Sequence, residues 1–241
     1  MCTLSWHREP AAPGYRLFFN RDEQKSREAA EPPGIRELAG VRFTAPRDGR
    51  AGGTWITTNE HGLTVALLNH YQADTPTVRP ETATSRGQLV VGFAACESVE
   101  EFRSLVARRQ AAGRYPAFFL FALDLDSSSL WRWDGHELTE TGHPAPAFLT
   151  TSSVRTEEVL AARQHAFSRC GGDLAGLHLQ HDARDPAASI RMRRPDARTV
   201  SRSEVRVAGG EVLFRYSEEA TDELATLACH QVSLALATAG H

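Results

Sequence analysis

Short apolar and β-branched runs alternate with turn-forming stretches along the first third of the chain. Residues 2–7 and 15–20 are two β-prone runs joined by Arg8-Glu9-Pro10-Ala11-Ala12-Pro13-Gly14, a pattern that predicts a hairpin. The Pro32-Pro33-Gly34 cluster and residues 46–53 predict surface loops. Strands are expected over 54–58 and 63–69, joined by Asn59-Glu60-His61-Gly62, where Gly62 suits a tight turn.

The period then lengthens. A short helix is expected over 88–95. Ser98 and Glu101 form a capping box for a longer one, in which Phe102, Leu105 and Val106 share a face and which is expected to end at Gly113. Residues 117–125, 130–133 and 136–141 predict a meander, and 156–170 a second amphipathic helix closed by Gly171 and Gly172. A late hairpin is expected over 204–216 around Gly209-Gly210. Leu224, Leu227, Ala228 and Leu234 suggest a helical tail over 221–237. Strands, helices, strands and helices in succession predict an α+β fold with largely antiparallel sheets, and the lack of repeats or low-complexity linkers predicts one domain, 1–241.

Composition narrows the function. The 241 residues are 41% hydrophobic and 24% charged, ordinary globular values. The net charge of −3 gives no general attraction to nucleic acid, and the arginines are scattered rather than gathered on one stripe. No run approaches the ~20 apolar residues of a membrane span, and no secretion signal is read. Cys2, Cys96, Cys170 and Cys229 are far apart and form no CxxC pair. A reduced, cytoplasmic protein with no disulfide framework or metal site is expected.

Three segments carry candidate chemistry. Removal of Met1 would give Cys2 a thiol and a free α-amine, a base titrating at about 7.7–8.0 beside a nucleophile. Taken alone, Cys2 reads more readily as a small buried residue at the start of a strand. Asn20-Arg21-Asp22-Glu23 ends the second β-prone run, and a hairpin would return this cluster beside the thiol. There a carboxylate could hold the α-ammonium and a guanidinium could bind a substrate carboxylate. Gly52-Gly53-Thr54-Trp55 leads into the 59–69 stretch, whose last residue, Asn69, reads alone as an ordinary turn residue, or else as a strand-end amide that can help steady an oxyanion.

The order Cys2, Asn20-Arg21-Asp22-Glu23, Gly-Gly-Thr-Trp at 52–55 and Asn-Glu-x-Gly-Leu at 59–63 closing on Asn69 resembles the NRDE family, also called the transport and Golgi organisation family. A weaker match covers residues 194–201. The family is similar to the N-terminal-nucleophile choloylglycine hydrolases and penicillin acyltransferases. The resemblance implies a four-layer αββα sandwich of two antiparallel sheets, with Cys2, Asp22 and Asn69 as catalytic residues. Asn20, Arg21, Glu23 and Trp55 are the substrate-binding candidates. Two positions depart from the amidohydrolase pattern. Leu149-Thr150-Thr151-Ser152-Ser153 lacks the later oxyanion Asn, and Phe19 stands where an Arg precedes the Asn-x-Asp.

The resemblance leaves three function classes. The first is an N-terminal-cysteine amidohydrolase or acyltransferase acting on a small acyl or amide substrate. The second is a carrier or chaperone without catalysis, with haem as candidate ligand, although no CxxCH is present. The third is an inert relic of the fold. No resident cofactor is implied, and oligomeric state is open. Among the other residues, His136 and His143 read as surface turns, and His178 and His181 as exposed. Trp131 and Trp133 read as strand residues, and Cys96, Cys170 and Cys229 as core residues on helix faces.

Overall fold

A computed structural model describes residues 1–10, 12–73, 84–108, 115–142, 147–221 and 223–237. Two antiparallel sheets are stacked face to face. The first has six strands: β1 (Cys2–Arg8), β2 (Gly14–Gln24), β10 (Phe148–Thr151), β11 (Ala197–Ala208), β12 (Glu211–Glu219) and β13 (Thr226–Ala235), in the order β10-β1-β2-β11-β12-β13. The second is a seven-stranded meander in chain order: β3 (Glu31–Leu38), β4 (Val41–Arg47), β5 (Ile56–Asn59), β6 (Thr64–Asn69), β7 (Phe118–Leu123), β8 (Ser128–Trp133) and β9 (Leu138–Gly142).

Strand alternation explains the layering. Leu4, Trp6, Leu17 and Phe19 from the first sheet meet Ile56, Ala66, Leu68 and Phe121 from the second in a shared core. The opposite face of the second sheet, with Val65, Phe118, Leu120 and Trp131, packs on α1 (Gly87–Gly92) and α2 (Val99–Arg108). The outer face of the first sheet, with Phe18 and Phe148, is covered by α3 (Thr156–Arg169), α4 (Leu174–Leu177) and Ile190. The result is the expected αββα sandwich. Among the described residues, no helix is long and apolar enough to cross a membrane.

Most predicted elements are present, with adjusted ends. The capping box forms: the Glu101 N–H donates to Ser98 Oγ at 3.2 Å, and Glu101 reaches back to the Glu97 N–H at 2.7 Å. The helical tail is not there. Residues 226–235 form strand β13, because β12 offers a full row of partners from Glu211↔Ala235 to Glu219↔Thr226. The two-residue alternation that places Ala228, His230, Val232 and Leu234 inward wins over the helical spacing.

Pro32-Pro33-Gly34 is not a loop but part of β3. That strand lies at the edge of its sheet, where proline's missing N–H is tolerated, and its pairing slips between Glu31 and Gly34. Cys96 is buried in the turn between α1 and α2 rather than on a helix, and Cys229 is exposed on β13. Trp131 and Trp133 are buried on β8, and His136 is exposed in the turn before β9. Gly113 and His143 lie outside the described residues.

Candidate active site

The hairpin brings Cys2 opposite Arg21, and β10 brings Thr151 to its other side. Cys2, at 8% exposure, sits in the wall of a cavity of about 480 Å³ at one end of the sandwich. Arg21, Glu23, Asp48, Trp55, Asn69 and Arg86 share that wall.

The first layer of charge is built around Asp48. Its carboxylate accepts from Arg21 at 2.5 Å and Arg27 at 2.7 Å, and from the Ala51 N–H at 2.8 Å. Burial alone would raise its pKa, but these bonds and charges hold it below the usual carboxylate value. Arg21 also lies over the Trp55 ring, 3.9 Å from its centroid, in cation–π geometry. Glu23 accepts from Arg21 at 3.4 Å. Arg21 follows the core residue Phe19 by two positions, so it lies on the same strand face and enters the cavity where Phe19 cannot.

The surroundings of Cys2 come from β10 and residues 69–71. The Cys2 N–H donates to Thr151 Oγ1 at 3.2 Å. The Met1 ammonium donates to the Asp22 carbonyl at 3.3 Å and to the Tyr71 hydroxyl at 2.9 Å, and Asn69 Nδ2 reaches the same hydroxyl at 2.8 Å. Burial pushes the Tyr71 phenol up to about 12, so it stays protonated. Burial also pushes the Cys2 thiol up, opposed by the positive N-terminus.

Asp22 lines the cavity too, but its carboxylate and the Asn20 side chain are bonded on the helix side of the sheet. Asp22 accepts from Arg163 Nη2 at 3.3 Å and from Thr199 Oγ1 at 2.7 Å. Burial raises its pKa against the pull of Arg163 and the N-terminal charge. Arg163 is fully buried and also donates to Thr3, Thr150 and the Ala188 carbonyl.

Asn20, expected at the substrate, is fully buried away from it. Its Nδ2 donates to the carbonyls of His178 and Ile190, both at 3.0 Å, and its Oδ1 lies 2.8 Å from His178 Nδ1. An amide oxygen can only accept, so Nδ1 carries the ring proton and Nε2 accepts from the Ser5 hydroxyl at 2.8 Å. His178 is therefore not exposed. Burial pushes it down to about 3, and this Ser–His–Asn chain is enclosed between sheet and helix and fastens α4 to the sheet. His181, half-buried, lies with Nδ1 3.0 Å from the Arg191 carbonyl.

Sequence reasoning missed Arg163, Tyr71, Asp48 and Arg86. Arg163 is one of two arginines on α3, with no pattern to mark it. The weak 194–201 match did contain Thr199, and the 149–153 departure contained Thr151. The loop expected over 46–53 supplies part of the wall through Asp48, Arg50, Ala51 and Gly53, and Thr84, Ser85, Arg86 and Gly87 supply another part.

Comparison with solved structures bears on the fold. A conjugated bile acid hydrolase from Clostridium perfringens, its C2A mutant, superposes with a TM-score of 0.58 at 11% identity, over 96% of this chain and 92% of that one. A Caenorhabditis elegans ortholog of N-acylethanolamine-hydrolyzing acid amidase gives 0.54 at 8% identity, over 85% and 92%. These likenesses establish the N-terminal-nucleophile hydrolase fold. No curated protein matches the sequence. The model of the family described as Transport and Golgi organisation 2 matches residues 1–168, and the chain belongs to that family.

Proposed function

We propose that the protein is an N-terminal-cysteine amidohydrolase or acyltransferase acting on a small acyl or amide substrate. The observation that carries this reading is the placement of the Cys2 thiol in the wall of a cavity, with its own backbone nitrogen held by Thr151. Once Met1 is removed, that nitrogen becomes the α-amine. A thiol held above its ordinary pKa needs a base at the moment of attack, and the amine is the one on its own residue.

In this mechanism the amine takes the thiol proton as Sγ bonds to the acyl carbon. The Asn69 amide, whose Nδ2 donates to the Tyr71 hydroxyl at 2.8 Å, would steady the oxygen that becomes negative. The C–N bond breaks, the ammonium returns its proton to the leaving amine, and a thioester remains on Cys2. The amine then deprotonates water or an acceptor amine, which displaces the acyl group and restores the thiol. Arg163 and Thr199 fix Asp22, whose negative charge and backbone carbonyl lie beside the chain start.

The test is a panel of short- and medium-chain acyl amides and thioesters assayed with the mature protein and its Cys2→Ala variant. The reading requires turnover that Cys2→Ala loses. Equal turnover by both proteins sinks it.

A further inference from the structure

Arg86 differs from the arginines beside it. Arg21 and Arg27 are committed to Asp48. Arg50 is exposed at the cavity rim. Arg86 is partly buried in the wall. Its Nη1 donates to the Ala117 carbonyl at 2.9 Å, and among the described residues it makes no ion pair. Burial pulls its pKa down, while the nearby Tyr71, Cys2 and Glu23 pull the other way. A half-desolvated cation without a counter-ion is a cost that a bound anion removes.

Two further observations agree. Trp55, in the same wall, has a buried Nε1 with no hydrogen-bond acceptor among the described residues. Arg86 also stands on a fixed base. Gly53 and Gly87 touch so closely that a Cβ on Gly53 would lie 2.6 Å from the Gly87 carbonyl carbon, and the Thr54 N–H donates to the Gly87 oxygen at 3.2 Å.

We propose that Arg86 is a specificity residue, and that the substrate of Cys2 carries a carboxylate which this guanidinium binds. A partly buried cation that makes no ion pair among the described residues, with one of its N–H groups already committed, matches a monoanion rather than a dianionic phosphate. The inference rests on Cys2 being the reacting group, as in the function proposed above, but its test does not depend on acyl transfer.

Iodoacetate and iodoacetamide alkylate a thiolate at the same carbon, displacing iodide, and differ in one charge. The ratio of their rates at Cys2, read by mass spectrometry of the N-terminal peptide, cancels any change in thiolate fraction. The same ratio for N-acetylcysteine is the reference. The expected iodoacetate preference is about tenfold above that reference, the scale of one charge-assisted hydrogen bond. It should decline in 1 M salt. Arg86→Gln should return it to within about twofold of the reference, and Arg86→Lys should keep most of it, while thermal melts of both variants report an intact fold. A wild-type ratio equal to that of N-acetylcysteine, or one that Arg86→Gln or salt leaves unchanged, overturns the proposal. Loss of turnover on acyl amides with the ratio intact would instead count against the function alone.

Discussion

The Arg163 guanidinium lies 3.3 Å from the Asp22 carboxylate, and neither side chain has any solvent exposure. This pair ties α3 to β2 directly beneath the start of β1. Breaking one side of a buried ion pair leaves an uncompensated charge, at a cost of about 3–5 kcal/mol. Arg163→Leu should lose that much in chemical denaturation. The double variant Asp22→Asn with Arg163→Leu should recover part of it. Additive losses would show that the two residues do not act as a pair.

Thr151 occupies part of the segment where the amidohydrolases carry an amide, and its hydroxyl accepts from the Cys2 nitrogen. Its role would be to aim the α-amine. Thr151→Val should lower kcat about tenfold with little change in KM, and should cost only about 1 kcal/mol of stability. Thr151→Ser should restore kcat. An unchanged kcat in Thr151→Val would show that the amine is oriented by other groups.

His178 is predicted to stay neutral across the physiological range. Its folded pKa is about 3 because it is buried, against about 6.5 when unfolded. The unfolded chain therefore binds more protons between these values, and stability rises with pH across that window. The slope reaches about 1.4 kcal/mol per pH unit. NMR of the ring carbons should show no titration of His178 between pH 8 and 5. A midpoint near 6.5 would contradict the buried Ser5–His178–Asn20 chain.

Gly53 and Gly87 set the distance between the cavity wall and α1. A methyl group at Gly53 must displace backbone, so Gly53→Ala should cost about 1–3 kcal/mol. It should also weaken the iodoacetate preference at Cys2 by moving Arg86. Thermal melts and the alkylation ratio read the two effects separately.

The sequence made the hairpin, the meander and three of the four helices among the described residues legible because their period and turn residues agree. Its failures have physical causes. Leu224, Leu227 and Leu234 fit a helical stripe, but the open edge of β12 decides the tail's conformation, and no local pattern reports that edge. Cys2 and Arg21 were expected at one site, and the register Cys2↔Arg21 brings them there. Asn20 was grouped with Arg21 because the two are adjacent in sequence. Alternate strand residues point to opposite faces, so Asn20 serves α4 while Arg21 serves the cavity. Arg163 approaches Asp22 from 141 positions away, a contact that exists only after α3 has docked.

The central claim is that Cys2, with its own free amine, is the nucleophile. The most direct measurement is the mass of the N-terminal peptide from untagged protein quenched in acid during turnover of an activated acyl ester. The account predicts a peptide that begins at Cys2 and carries one acyl group, released by hydroxylamine as a thioester would be. A peptide that retains Met1, or one that begins at Cys2 but never carries the acyl group while turnover proceeds, would contradict it.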